Sequence, residues 1–264
     1  MEWLGRARPE VSGIITATRG NHGQSQARAA ALAGISAKIL VPFGNSGEKN
    51  TAMRTFGAEV VEFGSDFDEA KAEVVRLASA EGRLMVPAFH EQLVMGVASY
   101  ALELFEAVKD LDVVYVPVGC GSGLCGVISA RDALGLSTQI VGVVSTEADA
   151  VKQSFESGQL IETKTAATFA DGMAVRAPIP EAFEFYRSGV ARIVAVSDDE
   201  VAEAIRTIFA GTHNVAEGAG AAAFAATMKD RHQLRGKKVA AILTGANIDS
   251  EMFAQVLQGT TPSV

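Results

Sequence analysis

The sequence predicts an α/β protein built as a two-lobe, open, twisted parallel-sheet fold. Three observations lead there. Short apolar runs rich in β-branched residues alternate with segments of helical period along most of the 264 residues. Most of these runs are apolar throughout rather than at every second position, as strands are when a parallel sheet is covered on both faces. Glycine-rich turns follow three of the runs, where such sheets pass from strand to helix.

Taken in order, the candidate strands are 13–18, 37–42, 59–63, 84–88, 113–118, 139–145, 192–196 and 238–244. The first leads through a glycine turn into a helix of small residues over 25–33. Val94, Val97, Ala98, Ala101, Leu102 and Phe105 form one helical stripe, and Val201, Ile205, Ile208 and Phe209 form another. Ser197 and Glu200 stand before the second at capping-box spacing. Repeated strand–helix–strand units imply right-handed crossovers. Residues 158–188 contain Gly172, Pro178 and Pro180 and give weak strand and helix signals, so they predict a long excursion over a ligand crevice. A boundary near Pro87 divides a small lobe, 13–86, from a large lobe, 87–260.

Hydrophobic residues make up 48% and charged residues 20%, which favours a sizeable core over disorder. Acidic residues outnumber basic ones 31 to 23, the net charge is -8, and no basic run interrupts it; nucleic acid and anionic membrane are disfavoured as partners. The small-apolar tract from Gly218 to Met228 is too short and glycine-rich to span a bilayer. Met1 to Glu10 mix Glu2, Arg6, Arg8 and Glu10 and lack the apolar core of a signal peptide. The two cysteines, Cys120 and Cys125, imply no disulfide framework and fit a reducing cytoplasm. The four histidines, at 22, 90, 213 and 232, lack zinc-ligand spacing.

The first glycine turn reads Thr18-Arg19-Gly20-Asn21-His22-Gly23-Gln24, where Asn21 either caps a helix or offers its amide to a ligand. The second reads Val118-Gly119-Cys120-Gly121-Ser122-Gly123-Leu124. Its alternating glycines let successive N–H groups converge at a helix start, an anion nest suited to phosphate. Residues 121–126 also read G-x-G-x-x-G, with Glu147 after the next strand, so a dinucleotide site and a ligand-free tight turn stand beside the phosphate reading. More glycines are present than a turn needs, which favours phosphate. Cys120 and Cys125 are expected to pack beside this loop. The third turn, Leu243-Thr244-Gly245-Ala246-Asn247, is by itself an ordinary Asn/Asp turn.

Together the motifs resemble those of the threonine/serine dehydratases, pyridoxal-phosphate enzymes of the tryptophan-synthase-β-like fold (fold type II). The first turn resembles their Ser-x-Gly-Asn-His-Gly-Gln, and the second their tetraglycine phosphate loop. Ala170-Asp171-Gly172-Met173-Ala174-Val175, Ala216-Glu217-Gly218-Ala219-Gly220-Ala221 and Leu243-Thr244-Gly245-Ala246-Asn247 resemble three more of their motifs, in the same order. The resemblance implies pyridoxal 5′-phosphate as cofactor, with Asn21 at its 3′ oxygen, Gly119, Cys120, Gly121, Ser122 and Gly123 at its phosphate, and Thr244 at its pyridine nitrogen. A hydroxyl there does not hold that nitrogen protonated, which suits β-elimination of a hydroxyl. Glu217 is either a ring-side residue or an acidic residue favoured by the helix dipole. The implied substrate is a small hydroxy amino acid, converted to a 2-oxo acid and ammonia, and the implied assembly is a homodimer.

Four departures qualify the resemblance. The family's cofactor lysine lies in a Ser-x-Lys-x-Arg-Gly stretch ahead of the Asn-His-Gly motif, and no lysine precedes Asn21 in this sequence. The catalytic lysine is therefore unassigned, and the fold is expected to lack its N-terminal segment, as a truncated product or as a non-catalytic remnant that binds the cofactor or phosphate. Lys38 reads as a solvated strand-end charge. Arg19 stands where the family often has a serine that serves racemisation; it either meets a substrate carboxylate or is solvated. The places at which some relatives bind a divalent cation hold Val144 and Ala150, so no metal is expected, and Glu147 and Asp149 read as a helix's first turn. Too few residues follow Thr244 for the family's regulatory domain, so feedback through one is not expected.

Overall fold

The computed structural model describes residues 11–263; Met1 to Glu10, read above for a signal peptide, lie outside them. The chain divides into two units that meet between Ala88 and Phe89.

The first unit carries strands β1 (Gly13–Ala17), β2 (Ser36–Val41), β3 (Glu59–Glu62) and β4 (Leu84–Met85) in one parallel sheet of order β3-β2-β1-β4. Helices α1 (Asn21–Leu32), α2 (Gly47–Thr55) and α3 (Phe67–Glu81) make the crossovers. Ile14, Ile39 and Val41 pack with Ala27, Ala30 and Met53 of α1 and α2, while Ile15, Ala17 and Leu40 pack with Ala70 and Val74 of α3. Adjacent residues of the central strands thus enter different cores, which is why their runs are apolar without alternation. The edge strand β4 is shorter than expected: beyond Met85 only the amide of Val86 continues, donating to Ile15 O at 2.9 Å. Lys38 departs from the expected solvated charge. Its side chain is mostly buried within β2, and Nζ lies 2.7 Å from Glu81 Oε1 and 3.4 Å from Glu59 Oε1. The hydrogen bond that Lys38 donates to Glu81 chiefly holds its pKa above the usual lysine value.

The second unit carries β5 (Val113–Pro117), β6 (Gln139–Ser145), β7 (Arg192–Val196) and β8 (Val239–Ala241) in a second parallel sheet of order β7-β6-β5-β8. Its helices are α4 (Glu91–Ala107), α5 (Ser122–Ala133), α6 (Ala150–Ser157), α7 (Pro180–Tyr186), α8 (Asp198–Thr212), α9 (Gly218–Asp230) and α10 (Ser250–Leu257), with one 3₁₀ turn at Asp171–Met173. Val113, Tyr115, Val141 and Val143 face a core with α8 and α9. Val114, Val116, Ile140 and Val144 face the opposite core, with α4, α5 and α7. Ser197 and Glu200 form the expected capping box, with Ser197 Oγ accepting from the Glu200 amide at 3.2 Å and Glu200 Oε2 from the Ser197 amide at 2.8 Å.

The excursion over 158–188 contains a helix the sequence reading did not assign. Pro180 starts α7 rather than breaking it, because a missing N–H costs nothing at the first helical position. No helix among the described residues is long and apolar enough to cross a membrane.

Candidate cofactor-binding site

In the first unit the motif occupies the turn from β1 into α1, at the carboxyl end of the sheet. Thr18 is buried, and its Oγ accepts hydrogen bonds from the amides of Gly20 (3.0 Å) and Gly23 (3.2 Å). That hydroxyl does the work the sequence reading offered to Asn21. The cap position belongs to Gly20, and Asn21 is the exposed first residue of a helix that starts four residues earlier than expected. Gly23 is tightly enclosed: a Cβ there would overlap Thr18 Cγ2 and lie 2.5 Å from Met53 Sδ. Thr16 Oγ donates to Val86 O at 2.8 Å, which leaves its oxygen to accept from His22 Nε2, 3.2 Å away. Burial lowers the His22 pKa to about 4, so the imidazole is neutral near pH 7. The chain His22–Thr16–Val86 ties the first turn of α1 to the strands beneath it. It was missed from sequence, where Thr16 reads as one more β-branched residue of an apolar run.

In the second unit four motifs separated in sequence are joined by close backbone approaches. The Gly119–Gly123 loop follows β5, and the Thr244 loop follows its neighbour β8, so both lie at the carboxyl edge of one sheet. A Cβ at Gly119 would overlap the carbonyl oxygen of Gly172, in the Asp171–Met173 turn. A Cβ at Gly172 would lie 2.9 Å from Ala219 Cβ, and one at Gly218 2.6 Å from Ala170 Cα. A Cβ at Gly220 would overlap Gly245 O, and the same carbonyl accepts the Glu217 amide at 3.1 Å. The small residues of these motifs are therefore where segments of one unit touch through backbone.

The glycines of the loop differ in what requires them. Gly119 is required by Gly172, and Gly121 by its φ of +98° and by Ala182 Cβ, 2.8 Å from where a Cβ would stand. Gly126 is required by α4, since a Cβ there would lie 3.1 Å from the Ala98 amide nitrogen. The third glycine of the G-x-G-x-x-G pattern thus has a packing role, and Glu147 is exposed. Gly123 is different. A Cβ there would meet only Tyr100 Oη at 3.8 Å, an ordinary contact. Glycine in a helix costs about 1 kcal/mol relative to alanine, and no neighbour among the described residues demands it here. The start of α5 also has no side-chain cap and no acid in its first turn. The loop fits the phosphate of pyridoxal 5′-phosphate, whose close approach to these amides would account for the glycine.

Cys120 is half-buried. Cys125 packs into the core beneath the loop, where burial pushes its thiol up to about 12 and leaves it unreactive. Thr244 is exposed in the loop after β8. Glu217 is buried at the cap position of α9, one residue before the first turn where its dipole-favoured alternative would have placed it. Asp149 likewise sits at the cap position of α6 and accepts from Gln153 Nε2 at 2.6 Å.

Parallel sheets with glycine-rich loops at their carboxyl edges place the chain among the α/β proteins. The chain belongs to the family of pyridoxal-phosphate-dependent enzymes, whose model matches residues 3–245. It is 34% identical over 246 residues to an L-threonine ammonia-lyase of Thermotoga maritima, covering 93% of this chain and 61% of that protein. It is also 34% identical over 243 residues to the biosynthetic L-threonine dehydratase of Escherichia coli, covering 91% of this chain and 47% of that protein. Among solved structures, the processed form of threonine deaminase isoform 2 from Solanum lycopersicum superposes with a TM-score of 0.87 at 29% identity, covering 94% of this chain and 73% of that one. The chain thus spans about half to three fifths of the length of these two curated relatives.

Proposed function

We propose that this chain forms the greater part of a pyridoxal-phosphate-dependent ammonia-lyase that converts a 3-hydroxy amino acid of the threonine or serine type to a 2-oxo acid and ammonia. The observation that carries the reading is Gly123, a helical glycine that no described neighbour requires, in the loop beside the Thr244 loop. In this reading residues 13–86 are the small lobe and 87–260 the cofactor-binding lobe. The amides of Gly119, Cys120, Gly121, Ser122 and Gly123 hold the phosphate, Thr244 meets the pyridine nitrogen, and Asn21 meets the 3′ oxygen. When bound, the cofactor supplies the electron sink for loss of the α-proton and then of the β-hydroxyl. Thr244 accepts or donates one hydrogen bond without fixing a charge on the ring, which disfavours long-lived carbanions. Two free thiols support a cytoplasmic setting. Exposed Met95 and Leu102 on α4 support a homodimer, which light scattering checks.

The test follows 2-oxo acid release from L-threonine and L-serine with saturating pyridoxal phosphate. It compares the 264 residues with a chain extended in frame upstream of Met1. A positioned base contributes about 10²–10⁴-fold, and no lysine precedes Asn21, so the extended chain is expected to be faster by that order if it carries one. Cofactor binding without 2-oxo acid from either chain would overturn the lyase reading and leave a non-catalytic binding protein.

A further inference from the structure

Arg19 is the one formal charge in the turn from Thr16 to Gln24, since His22 is neutral. It sits between the end of β1 and the cap position of α1, at the sheet edge where open α/β sheets bind ligands. Its backbone is pinned. The Thr18 amide donates to Leu40 O at 3.0 Å, and the Thr18 hydroxyl accepts from the two flanking glycine amides. Its side chain is half-buried, yet it makes no ion pair or hydrogen bond with any described residue. Elsewhere in the unit, Lys38 and Arg83 share Glu81, and Arg76 pairs with Glu73. Nor does α1 supply a carboxylate: its first turn has no acid, whereas α2 has Glu48 and α3 has Asp68 and Glu69.

A half-buried guanidinium on a rigid loop, with no carboxylate partner among the described residues, is arranged to receive one. The planar fork suits bidentate carboxylate binding. A net charge of -8 repels small anions over the surface as a whole, so a dianionic ligand gains most from a local cation. A threonine or serine zwitterion presents a single carboxylate, which the amides of a helix start can serve by hydrogen bonds alone. We propose that Arg19 selects 3-hydroxy amino acids carrying a second, side-chain carboxylate over threonine and serine. The inference rests on the ammonia-lyase reading and names its substrate class. The chemistry balances without an oxidant: water is lost across Cα–Cβ, the resulting enamine tautomerises to an imine, and hydrolysis of the imine takes up one water and releases ammonia and a 2-oxo dicarboxylic acid.

Binding calorimetry on the full chain with saturating pyridoxal phosphate tests this, using threo-3-hydroxy-L-aspartate and L-threonine as probes and Arg19→Ala and Arg19→Lys as variants. Wild type is expected to bind hydroxyaspartate at least about 10-fold more tightly than threonine. Arg19→Ala is expected to lose roughly 10- to 100-fold for hydroxyaspartate and to leave threonine unchanged, with Arg19→Lys between. Raising salt should shrink the preference. Circular dichroism and an unchanged thermal midpoint show that the variants fold. Equal losses for both ligands would assign Arg19 to the α-carboxylate, and no loss for either would make it a solvated charge; each overturns the inference alone. Binding of neither amino acid by wild type would overturn the ammonia-lyase reading, and the inference with it.

Discussion

Replacing Gly123 with alanine separates what the fold needs from what the ligand needs. The added Cβ meets Tyr100 Oη at 3.8 Å and nothing closer, so packing should absorb it. Exchanging glycine for alanine near a helix start then contributes up to about 1 kcal/mol of stability, a rise of roughly 2–4 °C in thermal midpoint. The same methyl is added within the loop whose amides are proposed to hold the phosphate. Losing one hydrogen bond to a charged group costs about 1.5–3 kcal/mol, a drop of roughly 10- to 100-fold in affinity for pyridoxal phosphate. Gly119→Ala is the counterpart. Its Cβ would overlap the Gly172 carbonyl, a backbone atom that cannot rotate away, and the loss should reach about 3 kcal/mol or more. Differential scanning fluorimetry and cofactor titration on the two variants give both numbers. A Gly123→Ala protein that keeps its midpoint and binds pyridoxal phosphate as tightly as wild type would refute the assignment of the cradle.

Acid should destabilise the protein through His22. Its folded pKa of about 4 lies below the ordinary 6.5, so stability is full above 6.5 and is lost as pH falls toward 4, by about 3 kcal/mol in all. Urea unfolding across that range should show the slope in wild type and a shallower one in His22→Gln; identical slopes would mean that His22 titrates normally. Val144 and Ala150 are fully buried and offer no side-chain oxygen, so magnesium or calcium should leave the thermal midpoint where a matched salt control puts it.

The sheets were legible because their strands are apolar on both faces, so that runs such as Val113 to Val118 stand out without any periodicity. The edge strands β4 and β8 were overestimated for the same reason. Apolar residues persist through Ala88 and Leu243 after the ladders end, because a one-sided strand sets its length by its partner and not by its own composition. The five motifs were legible as a set. What joins them was not: the approach of Gly119 to Gly172 and of Gly220 to Gly245 depends on segments far apart in sequence meeting through backbone atoms. The surplus of glycines that first suggested phosphate has partly another origin, since packing and a positive φ account for Gly119, Gly121 and Gly126, and only Gly123 is left for the proposed phosphate. Lys38 was misread because its partners Glu59 and Glu81 come from β3 and the end of α3, at distances in sequence that no local pattern reveals.

The central claim is that the loop from Gly119 to Gly123 holds the cofactor by its phosphate. Comparing the affinities of pyridoxal 5′-phosphate and pyridoxal by equilibrium dialysis, with inorganic phosphate as competitor, tests it most directly. Several charge-assisted hydrogen bonds to one phosphate predict a preference for the phosphorylated form of at least about 100-fold, relieved by inorganic phosphate. Equal binding of the two compounds, or binding indifferent to inorganic phosphate, would contradict it.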